Sequence, residues 1–164
     1  MGRKDRSGSV GTPATLRLTR AGITYAVRAY EHDPAAESFG LEAAEARGVE
    51  PARVLKTLLV DTGAGLAVGV VPVDRLLDLK AMASALGAKR VVMADPAVAE
   101  RSSGYVVGGI SPIGQKRALP TVLDSSASEH DTVLVSGGRR GLDLELAPVD
   151  LVSVTRAVVA PIAR

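Results

Sequence analysis

Residues 54–73 read VLKTLLVDTGAGLAVGVVPV, and this stretch decides the fold. Val54 to Asp61 and Leu66 to Val73 are apolar runs rich in β-branched residues, and Thr62-Gly63-Ala64-Gly65 between them has the composition of a hairpin loop. Strands this apolar belong in the buried middle of a sheet. One residue breaks the pattern. Lys56 carries a charge inside the run, so it must either snorkel to water or face a cleft, since burial without a partner is costly.

Working outward, Thr12 has N-cap chemistry, Pro13 suits the first helical position and Gly22 the stop, which predicts a helix anchored by Leu16 and Ile23. Ile23 to Tyr30 alternates, with Tyr25, Val27 and Ala29 on one face and Ala26, Arg28 and Tyr30 on the other. Glu31 to Gly40 is turn-rich, and Leu41 to Arg47 reads as a short helix ended by Gly48. Beyond the hairpin the pattern turns helical from Asp74 to Leu86, with Gly87 as the stop. Lys89 to Met93 reads as a short strand, and Asp95-Pro96 opens a helix to about Ser102. Leu119 to Asp124 reads as a strand and Ser125 to His130 as a short helix or loop. Thr132 to Val135, a Ser136-Gly137-Gly138 turn and Leu142 to Leu146 form a β-hairpin or a wider turn between strands, and Pro148 to Arg156 is a terminal helix. Strands interrupted by short helices predict one mixed α/β (α+β) domain over 12–164, after a loose tail at 1–11.

Composition narrows the function classes. A chain of 164 residues buries a core without staples, and its apolar runs are far too short to span a bilayer. The tail MGRKDRSGSVG has no apolar segment of the signal-peptide kind, so cytoplasm is the default compartment. The absence of cysteine excludes disulfides, cysteine-ligated metals and a protein thiol nucleophile. Lys89-Arg90, Lys116-Arg117 and Arg139-Arg140 are basic pairs that read singly as solvated turns and, if clustered, as a phosphate-attracting surface.

Chemistry-bearing motifs are few. His32 and His130 lie far apart outside any metal-binding spacing, and neither GxSxG, GxxxxGK[ST] nor GxGxxG occurs. That leaves a site that positions its substrate. Gly104 to Lys116, GYVVGGISPIGQK, predicts a strand that ends in a rigid loop whose N–H groups are accessible to an oxygen. Lys56, the loop Gly108-Gly109-Ile110-Ser111-Pro112 and the second glycine turn Ser136-Gly137-Gly138 converge if their strands are neighbours. Lys56 would then bind a phosphate or carboxylate, and the loop would donate to a developing oxyanion. Against this stand a strand lysine snorkelling to water and an ordinary tight turn.

Taken together, Tyr30-Glu31-His32-Asp33-Pro34, Phe39-Gly40, Lys56-Thr57-Leu58, Met93-Ala94-Asp95, Gly104 to Pro112, and Ser136 to Gly141 through Ala147-Pro148 resemble the bacterial YbaK proteins of the YbaK and prolyl-tRNA synthetase editing-domain superfamily. The likeness covers roughly residues 12–156, and the order of the motifs makes it specific. It implies a trans-editing deacylase that removes cysteine mischarged onto proline tRNA, with Cys-tRNA(Cys) as a further substrate. In that family the substrate's own thiol is thought to attack its carbonyl, so the protein supplies placement. By the same likeness Lys56 holds the phosphate or ribose end of the tRNA, and Gly108, Gly109 and Ser111 line the aminoacyl pocket with Ile110 and Pro112. Tyr30 and Phe39 pack against adenine or the amino acid, and Gly137, Asp143 and Asp150 are further substrate-binding candidates. The implied fold is a mixed, mostly antiparallel sheet closing towards a barrel and flanked by helices. No metal or cofactor is implied. The partners are aminoacylated tRNA and prolyl-tRNA synthetase, with no membrane and a monomer or weak homodimer. A deacylase for another small amino acid and a non-catalytic tRNA-end or synthetase-binding module stay open.

Overall fold

The computed structural model describes residues 11–29 and 48–164. The first element follows from capping chemistry. In α1 (Pro13–Ala21) the Thr12 hydroxyl accepts the Thr15 N–H at 3.2 Å, and the Thr15 hydroxyl accepts the Thr12 N–H at 2.8 Å. Gly22, at φ 70°, returns its N–H to the last carbonyls of the helix. Its buried face is Ala14, Thr15 and Leu18, so Leu16, expected as an anchor, is instead 52% exposed.

The strand expected over 23–30 is β1 (Ala26–Ala29). After a single 3₁₀ turn at Pro51–Arg53, β2 (Leu55–Asp61) and β3 (Leu66–Pro72) form the anticipated hairpin, in register from Leu55 opposite Pro72 to Asp61 opposite Leu66. Helix α2 (Leu79–Leu86) starts five residues later than the pattern predicts. The Asp78 carboxylate caps it through Ala81 N–H at 3.0 Å, while the amides of Leu76 and Asp78 are committed to the carbonyls of Arg164 and Ile162. Next come β4 (Val92–Met93), α3 (Pro96–Ser103), β5 (Thr121–Asp124) and a 3₁₀ turn at Ser125–Glu129. The chain closes with β6 (Val133–Arg139), β7 (Leu142–Leu146), α4 (Pro148–Thr155) and β8 (Val158–Ala160), the last of which periodicity did not predict.

The Ser136-Gly137-Gly138 segment is not a turn. It lies inside β6, where the ladder with β7 shifts register between Ser136 and Arg139, and the chain reverses at Arg140-Gly141. A Cβ on Gly137 would sit 2.7 Å from Leu142 Cγ, so the glycine serves the crossing of the strand over the core.

The described residues form two sheets, ordered β1-β7-β6 and β4-β2-β3-β5-β8. Most pairs are antiparallel, and β5 pairs parallel with β3 and β8. Among the described residues the expected barrel does not close. The sheets meet through a parallel bridge between Val54 and Leu134, and β1 and β8 remain at outer edges. The inner faces share a core of Leu55, Leu59, Val70, Val135, Leu144 and Leu146, into which α1 sends Leu18 and α4 sends Leu151. Across the five-stranded sheet, Val60, Ala67, Val71 and Val122 pack under Met82 and Ala83 of α2 and Ile162.

Asp124 fastens the C-terminal segment. Its Oδ1 accepts the amides of Ile162 and Ala163, each at 2.9 Å. Burial pulls this carboxyl pKa up, but the hydrogen bonds from Ser126, Ile162 and Ala163 outweigh it and hold the pKa below the ordinary value.

Candidate active site

Strand alternation sorts the polar groups. Leu55 and Leu59 of β2 enter the inner core, so Lys56, Leu58 and Val60 take the opposite face. Val133, Val135, Leu144 and Leu146 likewise point inward, which turns Leu134, Ser136, Asp143 and Glu145 outward on β6 and β7. Asp143 pairs laterally with Arg28 on one side and Ser136 on the other. From the parallel Val54–Leu134 bridge, two residues onward along both chains bring Lys56 and Ser136 to neighbouring positions on that same face. Arg28, Asp143, Ser136 and Lys56 therefore form one polar row across the outer face, which ends opposite Lys56 at the buried Val71.

The row is partly sheltered from water. Asp143 is 6% exposed and Lys56 half-buried. Burial lowers the Lys56 pKa, and the charge of Asp74 offsets part of that shift. A lysine in this setting is a cation with an incomplete solvent shell, which strengthens its attraction for an arriving anion.

A charged brace steadies the strands beside the row. Glu145 accepts Arg28 Nε at 2.8 Å, Arg53 Nη2 at 2.9 Å and the Thr132 hydroxyl at 2.5 Å. The Thr132 hydrogen bond, opposed by burial and joined by Arg28 and Arg53, holds the Glu145 carboxyl pKa below its ordinary value. One carboxylate thus ties β1, the 3₁₀ turn before β2, and the approach to β6 onto β7.

The glycine stretch contains no strand, contrary to the expectation for Val106 and Val107. It is a loop stitched to itself and to its neighbours. Tyr105 is buried, its hydroxyl donates to Ile113 O at 2.7 Å, and burial pushes its pKa up to about 12. Gly109 donates its N–H to Val106 O at 2.8 Å, and a Cβ there would lie 2.8 Å from Arg139 Cα. The loop is therefore seated on the end of β6, three residues beyond Ser136. Gly109 N–H is spent inside the turn, whereas the N–H groups of Gly108 and Ile110 meet no acceptor among the described residues.

The other expected residues are dispersed. Ser111 is fully buried and its hydroxyl accepts Ile113 N–H at 3.2 Å, so it builds the loop. Ile110 packs against the inner core, and the Gly137 carbonyl accepts the Thr12 hydroxyl at 2.6 Å. Asp150 is the third residue of α4, whose Leu151 enters the inner core, and it lies away from the polar row. Pro112 lines a separate cleft of about 200 Å³ with Arg17, Gln115, Arg117 and Thr155. Tyr30 and Phe39 lie outside the described residues. Ser136, expected to approach Lys56 as part of a glycine turn, reaches it instead from inside β6, on the face opposite Val133 and Val135.

Among the described residues, no cluster of His, Asp and Glu is arranged to hold a metal ion, and no helix is long and apolar enough to cross a membrane. Residues 33–154 match the aminoacyl-tRNA editing domain family. The chain is 42% identical over 120 residues to EbsC of Enterococcus faecalis (strain ATCC 700802 / V583), named as a candidate Cys-tRNA(Pro)/Cys-tRNA(Cys) deacylase, and the match covers 73% of each protein. Among solved structures it is similar to the hypothetical protein APE2540, with a TM-score of 0.84 and 28% identity over 93% of this chain and all of that one. It also shares its fold with a candidate trans-editing enzyme for prolyl tRNA synthetase, with a TM-score of 0.77 and 24% identity over 93% of this chain and 98% of that one.

Proposed function

This chain belongs to the aminoacyl-tRNA editing domain family, and on that footing we propose that it is a trans-editing deacylase that releases cysteine from Cys-tRNA(Pro), and from Cys-tRNA(Cys) as a further substrate. The observation that carries the reading is the half-buried Lys56, beside Ser136 and Asp143 on the outer sheet face, at the margin of the part of that face that α2 covers. Lys56 holds the phosphate or ribose of the terminal adenosine as a point charge.

The chain has no cysteine, and the hydroxyl of Ser111 is engaged within its own loop. On the mechanism that the family resemblance implies, the nucleophile comes from the substrate, and a chain without a thiol of its own is consistent with it. The cysteinyl thiol attacks its own carbonyl carbon, a C–S bond forms, the C–O bond to the ribose breaks, and the thiol proton passes to the departing ribose oxygen. The cyclic thiolactone then takes up water to give free cysteine. The protein contributes orientation and charge, with the Gly108 and Ile110 N–H groups as donors to the carbonyl oxygen in the transition state. Ser136 and Asp143 face the α-amino side of the substrate, where an acceptor is needed. Tyr30 and Phe39 add apolar or stacking contacts to the amino acid or adenine. Prolyl-tRNA synthetase as a partner would supply the tRNA selectivity that a domain of this size has little surface to provide, and the site of action is the cytoplasm.

The test is a deacylation assay on Cys-tRNA(Pro) and Ser-tRNA(Pro) side by side. The proposal expects rapid loss of cysteine and slow loss of serine, whose hydroxyl is the poorer intramolecular nucleophile. An intact cysteinyl ester refutes the activity, and equal rates point to activated water instead of the substrate thiol. Binding without hydrolysis across several charged tRNAs would identify a recognition module.

A further inference from the structure

The turn between Tyr105 and Gly109 exposes two valines at the rim of the proposed site. Val106 is 53% and Val107 36% exposed. Single exposed apolar residues are common on any protein and need no explanation. What distinguishes this pair is how firmly its backbone is held. Val107 N–H donates to Glu100 Oε2 of α3 at 2.8 Å, and Val107 O accepts Arg140 Nε at 3.0 Å and Arg140 Nη2 at 2.6 Å. Val106 O accepts Gly109 N–H at 2.8 Å.

Side chains from α3 and from the β6–β7 turn thus converge on one exposed tip. Two charged residues fix the backbone of a pair whose side chains remain largely in water, where they add little to the core. Such an arrangement is preorganised for an apolar surface arriving from outside. The tip also joins the polar row. Gly109 rests against Arg139 and Arg140, and that same strand carries Ser136 back to Lys56.

The occupant follows from the substrate, and this step rests on the deacylase reading. An aminoacyl-tRNA brings an adenine base within a few ångströms of the ester that Lys56 and the loop address. Adenine has a flat, weakly polar face, and the loop's own aromatic residue, Tyr105, is buried and turned to Ile113. We infer that Val106 and Val107 form an aliphatic platform for the base of the terminal adenosine, held in place by Glu100 and Arg140.

Uncharged RNA minihelices separate this inference from turnover. One carries a normal 3′-terminal adenosine and the other an abasic residue at that position. The parent protein should bind the adenosine-ended RNA about five- to tenfold more tightly, consistent with partial burial of two valine side chains. The double variant Val106→Asn/Val107→Asn should lose that preference and bind the abasic RNA like the parent. Arg140→Ala, which releases the Val107 carbonyl, should reduce the preference in the same direction. On charged tRNA the double variant should raise KM with kcat unchanged, the signature of a contact made equally in the ground and transition states.

A double variant that keeps the adenosine preference overturns the inference, as does one that weakens abasic RNA binding equally. If the variant retains the preference but loses a complex with prolyl-tRNA synthetase, the valines serve a protein partner and the inference also fails. A parent that prefers adenosine-ended RNA yet leaves Cys-tRNA(Pro) intact would refute the deacylase reading while supporting the platform.

Discussion

The two faces of the β6–β7 and β2–β3 strands are built from alternate residues of the same chain and do opposite work. The inner face of Leu55, Leu59, Val135 and Leu144 is closed by α1, α4 and the buried part of the glycine loop. The outer face carries Arg28, Asp143, Ser136 and Lys56 in a row and leaves Lys56 half in contact with water. A period of two residues lets one strand supply stability with one set of side chains and chemistry with the next. The glycine loop spans both roles, since Ser111 and Ile113 sit in the interior while the valines are exposed and Gly108 is partly so.

The sharpest way to break this division on the inner face is Gly137→Ala. Its Cβ would meet Leu142 Cγ at 2.7 Å and Leu144 Cγ at 3.2 Å, and Leu142 is fully buried. Overpacking of this kind destabilises by about 1–3 kcal/mol, to be read as a lower urea midpoint. The chemical step should survive at temperatures where the variant is folded. A variant as stable as the parent would show that the inner face is looser than its geometry implies.

A smaller effect sharpens the outer face. The Lys56 pKa lies below 10.5 because the charged form is partly desolvated. Protonated Lys56 is thus disfavoured in the folded chain, and that destabilisation is present below the lowered pKa. It is relieved as pH rises from the lowered value to 10.5, where the unfolded chain still holds its proton. Ligand binding has the opposite dependence. Affinity for a non-hydrolysable aminoacyl-adenosine should fall as pH rises through the lowered value, and Lys56→Met should abolish that dependence. An affinity flat to pH 10.5 would argue that Lys56 does not contact the ligand.

Much of the fold was legible because it is set by local chemistry. Thr12-Pro13 and Gly22, Asp95-Pro96, and the Gly63–Gly65 loop each encode a boundary through capping or turn geometry. Lys56 stood out because it is the charge inside an apolar run. The misreadings share a cause, long-range packing overriding a local signal. Ser136-Gly137-Gly138 has the composition of a turn, yet Gly137 is glycine because Leu142 crosses beside it. Val106-Val107 has strand propensity, yet Glu100 and Arg140 claim the backbone groups that a ladder would use. Asp74 to Leu77 continues a helical pattern, yet the C-terminal segment pairs with Leu76 and Asp78 instead. Barrel closure depended on whether chain ends meet across the sheet, which no local pattern records. Ser136 and Asp143 became neighbours of Lys56 only once the Val54–Leu134 bridge fixed the relation of the two sheets.

The most direct test of the division is single-turnover deacylation of Cys-tRNA(Pro) by the parent, Lys56→Ala and Ser111→Ala, with a thermal melt of each. If the outer row is the active site, Lys56→Ala should lose about 10- to 100-fold in the single-turnover rate at sub-saturating protein, the scale of one lost hydrogen bond to a charged group, while melting like the parent. Ser111→Ala should melt earlier and keep the step within about threefold, as expected for a residue whose hydroxyl serves its own loop. The account is contradicted if Lys56→Ala turns over like the parent, or if Ser111→Ala abolishes the step in a chain that melts normally.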